Sequence, residues 1–127
     1  MEKYISERLR NDFPWVVIEE CNRTVLGDLE IDIFLPQFNI GIEVNGKMHY
    51  EFVEYFHHSL KNFQRQLERD NLKKLRCNQL GIKLIEVPNL KSFSLKYAEE
   101  LYRILRFNLD LLLKPQQQDY YSLIHLI

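Results

Sequence analysis

Glycine and proline are scarce in this chain, four of each in 127 residues. That leaves little room for flexible linkers, and no repeat of solenoid length recurs, so residues 1–127 read as one domain. Cysteine is scarcer still. Cys21 and Cys77 lie far apart and match no zinc spacing, and both are expected to be buried thiols in a reducing compartment. Long hydrophobic runs are missing: the longest, "LDLLL", falls far short of the roughly 20 residues of a membrane span. The N-terminal "MEKYISERLR" is too charged for a signal peptide. The expectation is a cytoplasmic, intracellular setting with no membrane partner. An excess of one charge is also missing, because 17 basic and 18 acidic residues leave a formal net charge of −1. This counts against a non-specific nucleic-acid coat, which needs a strongly basic surface. It leaves open a site that reaches phosphate through a metal ion.

What is present is an ordinary globular balance, 46% hydrophobic and 28% charged. A domain of this size buries roughly two-thirds of its unfolded surface. Residues 2–12 read as a helix ended by Pro14, and "WVVIEE" as a strand over 15–20, with Phe13 and Trp15 in the core. "NRTVLGD" reads as a connection. A hairpin follows at 29–35 and 38–45 around Pro36-Gln37. A loop then leads into a helix over 56–80, with an apolar stripe of Phe56, Leu60, Phe63 and Leu67 and a C-cap at Gly81. "IKLIEV" is a strand stopped by Pro88, and 94–113 form a second long helix. The tail "SLIHLI" either packs back or pairs with another subunit, and His125 within it reads as structural. The core spans 2–90, and the C-terminal helix and tail span 94–127. The fold class is α/β, a mixed β-sheet flanked by helices, with 38–45 and 82–87 as a parallel crossover pair.

Acids concentrate in the hairpin. Residues two apart on a strand share a face, so Glu30 and Asp32 point the same way, as do Glu43 and Asn45. If the turn centres on Gln37 and Phe38, Asp32 lies across from Glu43; one residue earlier, Glu30 does. Like charges so placed repel, and a half-buried pair takes up a proton. A divalent cation removes both problems, and paired carboxylates suit Mg²⁺ or Mn²⁺. Otherwise this is merely the wet side of an antiparallel hairpin. On the long helix, Phe63, Leu67, Asp70 and Lys74 follow at helical spacing, which turns Asp70 toward the sheet with Lys73 beside it. Arg65, Arg69, Lys73, Lys74 and Arg76 read as wrapping around that helix rather than lining one stripe. His57 and His58 read as a solvated helix start.

These stretches together resemble the PD-(D/E)XK nuclease superfamily, in the branch of the very-short-patch-repair endonuclease and the phage homing-type EDxHD enzymes. The resemblance runs from Glu7 through "NRTVLGDLEIDIFLP", "IGIEVNGKMH" and "RDNLKKLRCNQLGIKLIEV", about residues 5–87. It implies a restriction-endonuclease-like fold. Glu7, favoured over its rival Glu2, would be the acid of the first helix, Asp32 the central metal ligand and Glu43 the second. His49 would be a general acid or base, and Asp70 and Lys73 the helix pair. Asn45 stands where many relatives carry the motif lysine, so Lys47, Lys73 or Lys74 must replace it. The implied activity is Mg²⁺- or Mn²⁺-dependent hydrolysis of DNA, with Asn45, Lys47, Arg69, Asp70 and Lys74 near the substrate and a homodimer or higher homo-oligomer to cut both strands. "IEVNG" with the later His and "LKKLRCNQLGIKLIEVP" also resemble the RAP domain, which implies an RNA-binding module without catalysis. A structural viral subunit is the third possibility.

Overall fold

The computed structural model describes residues 1–113; the tail at 114–127, with His125 and "SLIHLI", lies outside the described residues. Along the chain come α1 (Glu2–Asp12), β1 (Glu19–Leu26), β2 (Leu29–Leu35), β3 (Ile40–Gly46), a single 3-10 turn (Lys47–His49), α2 (Glu54–His57), α3 (Leu60–Gln79), β4 (Lys83–Asn89) and α4 (Leu95–Asp110). The strands form one mixed sheet in the order β1-β2-β3-β4. The β1–β2 and β2–β3 pairs are antiparallel, and β3–β4 is parallel, with α3 in the crossover. The chain is therefore α/β, with helices on both faces of a mixed sheet.

Two clusters hold the layers together. Ile5 and Leu9 of α1 and Tyr102, Leu105 and Leu109 of α4 pack with Ile33, Leu35, Ile40, Ile42 and Val87. On the other side, Leu26, Leu29, Ile31 and Phe34 meet Cys77 and Ile82 around α3. Each fully buried Leu or Ile stabilises the fold by about 1.5–3 kcal/mol.

The described β1 runs over 19–26, not 15–20. Phe13 caps α1 through its amide to the Leu9 carbonyl, and Val16 donates back to the Phe13 carbonyl. The chain is thus still turning at 13–16 and joins the sheet only where Glu19 meets Phe34. Trp15 consequently stays exposed, although Phe13 is buried. "NRTVLGD" is not a connection: its first five residues are strand, and Gly27 (φ 77°) with Asp28 makes the two-residue turn back to Leu29. Cys21 is exposed rather than buried. Pro88 does not stop β4, which continues to Asn89 opposite Gly46. This strand lies at the edge of the described sheet, where a missing amide costs no ladder bond.

The 56–80 helix is broken in two. His58 takes a left-handed conformation (φ 65°) and Ser59 Oγ accepts the Asn62 amide as the N-cap of α3. His57 is no solvated start. It is 3% exposed, its Nδ1 accepts the Val53 amide at 3.0 Å, and Phe52, Phe56 and Phe63 surround its ring. At the other end α3 closes as expected: the Gly81 amide reaches the Asn78 carbonyl and the Ile82 amide that of Cys77, with Gly81 at φ 72°.

The apolar stripe read on α3 does not face the sheet. Phe56, Leu60 and Leu67 are exposed, and only Phe63 of the four is half-buried. The inward row is Phe63, Gln66, Asp70, Lys73 and Cys77, so a largely polar face of the helix lies over the sheet. A stability comparison tests this reversal. Leu60→Gln, at a side chain 69% exposed, is expected to change the unfolding free energy by less than about 0.5 kcal/mol. Leu105→Ala, in the α1–α4 core, is expected to cost about 2–5 kcal/mol. Urea unfolding of the two variants reads both.

Candidate active site

The register between β2 and β3 pairs Ile33 with Ile42, Phe34 with Gly41 and Leu35 with Ile40. Pairing stops there, one step before Asp32 would meet Glu43. The Val44 amide donates instead to Asp32 Oδ2 at 2.9 Å. Leu29 and Ile31 belong to the α3-side cluster and Ile33 and Leu35 to the α1–α4 cluster. The alternation that reads as one continuous face therefore switches sides at Asp32. The strand rotates where its ladder ends, and the Asp32 side chain fills the opening.

Glu43, on β3, is 3% exposed, and its carboxyl lies against that of Asp32. Burial pushes the Glu43 carboxyl up to about 8, the Asp32 charge adds to the rise, and the Lys73 ammonium opposes it without cancelling it. Lys73 Nζ comes within 2.7 Å of Glu43 Oε1. The contact is an ion pair, and among the described residues no donor meets this buried oxygen with hydrogen-bond geometry. A buried carboxylate oxygen that has an ammonium beside it but no aligned donor has lone-pair capacity to spare, which a further cation could use. Asp32 and Glu43 are the two side chains that could share one. Among the described residues no group of three or more His, Cys, Asp or Glu side chains is disposed about a common point.

Across the cleft, the 3-10 turn and α3 bring His49 to Asp70, with Nδ1 2.9 Å from Oδ2. Gln66 Nε2 donates to Asp70 Oδ1 at 3.0 Å. Asp70 thus has both carboxylate oxygens engaged, and its contact with Nδ1 fixes the orientation of the His49 ring. Asp32, His49, Gln66, Asp70, Lys73, Arg69, Arg23 and Glu30 line one open cavity of about 450 Å³. Arg23 is paired there with Glu30 at 3.0 Å.

The three candidate lysines have different partners. Lys73 meets Glu43. Lys74 reaches Glu86 on β4 at 2.9 Å, and that contact raises its affinity for a proton. Lys47 pairs with Glu51 on the surface at 3.0 Å and is not brought to the carboxylates. Asn45 is buried and lines a small cleft with Glu43, Asp70, Lys73, Lys74 and Glu86. Glu7 lines a second cavity, about 300 Å³, with Asp32, Glu2 and Cys21. There it is Glu2, not Glu7, whose carboxyl touches Asp32. Crowding of that end away from water raises the Glu2 carboxyl first, and the Asp32 and Glu30 charges raise it further, although the residue itself reaches solvent. Gln66 and Glu86 are contributors to which the sequence pattern assigns no role, and Glu2 is the rival first-helix acid that it ranks behind Glu7. For Glu2 the only signal is a second acid on the same short helix.

No family model matches this chain, and no solved structure matches it. Similar sequences come from viruses. Uncharacterized protein 033L of Invertebrate iridescent virus 3 is 37% identical over 87 residues, 68% of this chain and 45% of the relative. Uncharacterized protein 307L of Invertebrate iridescent virus 6 is 44% identical over 61 residues, 48% of this chain and 31% of the relative. Uncharacterized protein 094L of Frog virus 3 (isolate Goorha) is 44% identical over 61 residues, 47% of this chain and 39% of the relative. The chain spans less than half the length of the curated relatives it matches. Among the described residues no helix is long and apolar enough to cross a membrane.

Proposed function

We propose that this chain is a nuclease domain of restriction-endonuclease-like fold that hydrolyses DNA phosphodiester bonds with Mg²⁺ or Mn²⁺, and that it acts in a virus-infected cell as a cytoplasmic homodimer or higher homo-oligomer. The observation that carries the reading is the Asp32–Glu43 pair. Two carboxylates are pressed together at the point where the β2–β3 ladder opens, one of them with a buried oxygen that accepts no hydrogen bond from the described residues. Even with the Lys73 ammonium 2.7 Å away, burial and the Asp32 charge keep the Glu43 carboxyl raised, and a divalent cation between the two carboxylates would relieve that opposition. Asp32 and Glu43 would hold the ion. Hard oxygen donors, two in number, fit Mg²⁺, which keeps several waters and fills its remaining positions from substrate. An ion held there would supply an acidified water and offset charge on the phosphate.

The protein's own groups divide the rest. The Lys73 ammonium lies beside the carboxylates and offsets negative charge building on the phosphate oxygens. His49, held through Nδ1 by Asp70, keeps Nε2 free to take a proton or, once protonated, to return one to the leaving oxygen. Gln66 keeps Asp70 in place. Arg69 on the cavity wall meets the flanking phosphate. Cutting both strands of a duplex would need two such sites, which a homodimer supplies.

Nicking of supercoiled plasmid tests the reading. Wild-type protein with Mg²⁺ or Mn²⁺ is expected to relax the plasmid, and a chelator to stop it. Asp32→Ala is expected to lower the rate by about a hundredfold or more. Equal nicking by wild type and Asp32→Ala, or no uptake of Mn²⁺ by calorimetry, would sink it.

A further inference from the structure

The basic residues of α3 do not wrap around it. On an unbroken helix from Leu60 to Gln79, Lys61, Arg65, Arg69 and Lys73 recur at every fourth position, which sets them along one ridge. Each step advances about 6 Å. The ridge turns slowly as it runs, from the solvent side at Lys61 to the cleft at Lys73, where Nζ lies 2.7 Å from Glu43 Oε1. Arg76 extends the same edge and is held by Asp28. Lys74 lies off the ridge, on Glu86, and it alone gives the basic set its wrapped look along the sequence.

Among the described residues, Lys61, Arg65 and Arg69 make no ion pair, while Lys73, Lys74 and Arg76 each make one. All three unpaired residues are exposed. Like charges four apart on a helix repel and weaken it by about 0.2–0.5 kcal/mol per pair. The row contains three such pairs, so helix stability does not explain it. Net charge does not explain it either, because the whole chain is close to neutral. A line of free cations on a near-neutral protein, with a repeat comparable to the spacing of phosphates along a strand and one end in the carboxylate cleft, matches a linear polyanion.

We infer that Lys61, Arg65 and Arg69 form a track for the DNA sugar–phosphate backbone and lead one strand toward Lys73 and the Asp32–Glu43 pair. The inference rests on the nuclease reading for its choice of partner, but binding is measured without catalysis. Each cation pairs with a phosphate and releases counterions, so the track adds affinity without reading bases.

The experiment follows a fluorescein-labelled DNA duplex by anisotropy over a salt series in chelator. It compares the full-length wild type with Lys61→Ala/Arg65→Ala/Arg69→Ala and with a control triple, Lys83→Ala/Lys91→Ala/Lys96→Ala. Both triples remove three positive charges, all from exposed positions, and circular dichroism verifies that both fold. The ridge triple is expected to flatten the slope of log K against log salt by about 2–3, at about 0.9 for each phosphate no longer neutralised, and to bind at least about tenfold more weakly at about 0.1 M salt. The control triple is expected to change the slope by less than one. A ridge triple with the wild-type slope, equal losses in the two triples, or a wild type that binds no DNA overturns the track. So does a ridge triple that loses binding to phosphatidylserine vesicles and keeps its DNA affinity. Plasmid nicking runs in parallel. Nicking that depends on Asp32, with an unchanged slope, removes the track alone; a flattened slope in a protein that never nicks removes the nuclease reading alone.

Discussion

The Glu43→Gln protein is expected to be more stable than wild type above pH 8 and to lose metal-dependent nicking. Burial and the Asp32 charge raise the Glu43 carboxyl from 4.5 to about 8 in the folded protein. In the unfolded chain it returns to the ordinary value. Between these two values the folded state holds a proton that the unfolded state has released. The contribution of this group is therefore fully present below about pH 4.5 and is lost as pH rises through 8. Over that window wild type should lose on the order of a few kcal/mol of stability, since each pH unit separating the folded and unfolded values corresponds to about 1.4 kcal/mol. Glutamine keeps the size and most of the hydrogen-bonding capacity of the neutral acid and cannot ionise. Thermal unfolding at pH 5 and pH 9 is the measurement: the wild-type midpoint should fall by about 10 °C relative to the variant at the higher pH, and little at the lower. A parallel decline of both proteins would mean that Glu43 is not the group responsible. Loss of nicking in the same variant follows from removal of one of the two candidate cation ligands, and it sets stability against activity at a single atom.

Replacement of Lys73 is expected to act in the opposite direction. The Lys73 ammonium is the cation beside Glu43 in a largely buried pair. Without it nothing opposes the upward push of burial and Asp32, and Glu43 keeps its proton to still higher pH. Lys73→Met should therefore cost little stability at pH 5, where Glu43 is neutral in both proteins. At pH 9 it should cost on the order of 2 kcal/mol. That is short of the roughly 3–5 kcal/mol for a stranded buried charge, because Glu43 escapes by protonation. A double-mutant cycle with Glu43→Gln isolates the pair: a coupling of about 1–2 kcal/mol at pH 9 and close to zero at pH 5 is the expected result. Additivity at pH 9 would mean that the 2.7 Å approach of Lys73 to Glu43 carries no energy. Nicking by Lys73→Met is expected to fall by about 10²–10³ at every pH, because the missing charge also faces the phosphate.

How much of the molecule is legible in its sequence differs between the elements. The hairpin is readable because Leu29, Ile31, Ile33 and Leu35 alternate with Glu30, Asp32 and Phe34, and the turn set in the first of the two possible registers puts Asp32 and Glu43 side by side. The switch of cluster at Asp32 is not readable. It arises from a side chain taking a backbone partner, Val44, across the strand gap, and period-two patterning carries no information about that. On α3 the pattern misleads, because the strongest apolar stripe, Phe56, Leu60 and Leu67, faces away from the sheet. Cys77 and Ile82 meet Leu26 and Leu29 at one end of α3, and along the rest the Gln66–Asp70–Lys73 row faces the site. A helix whose inner face serves a polar cleft is not amphipathic in the usual direction. His57 misleads for a related reason: its neighbours Phe52 and Phe63 are drawn around it only after His58 adopts its left-handed turn.

The order of elements, the parallel crossover through a long helix, the Gly81 cap and the proximity of two acids were determined by sequence alone, because each depends on local spacing and on residue types with narrow conformational preferences. Which acid of α1 touches Asp32, which lysine meets Glu43 and which face of α3 looks inward were decided only by the tertiary structure. Those choices turn on the angle at which one layer lies on another, and a rotation of a helix by a single residue exchanges Lys73 for Lys74. Long-range packing sets that angle, and no stretch of the chain read by itself contains it.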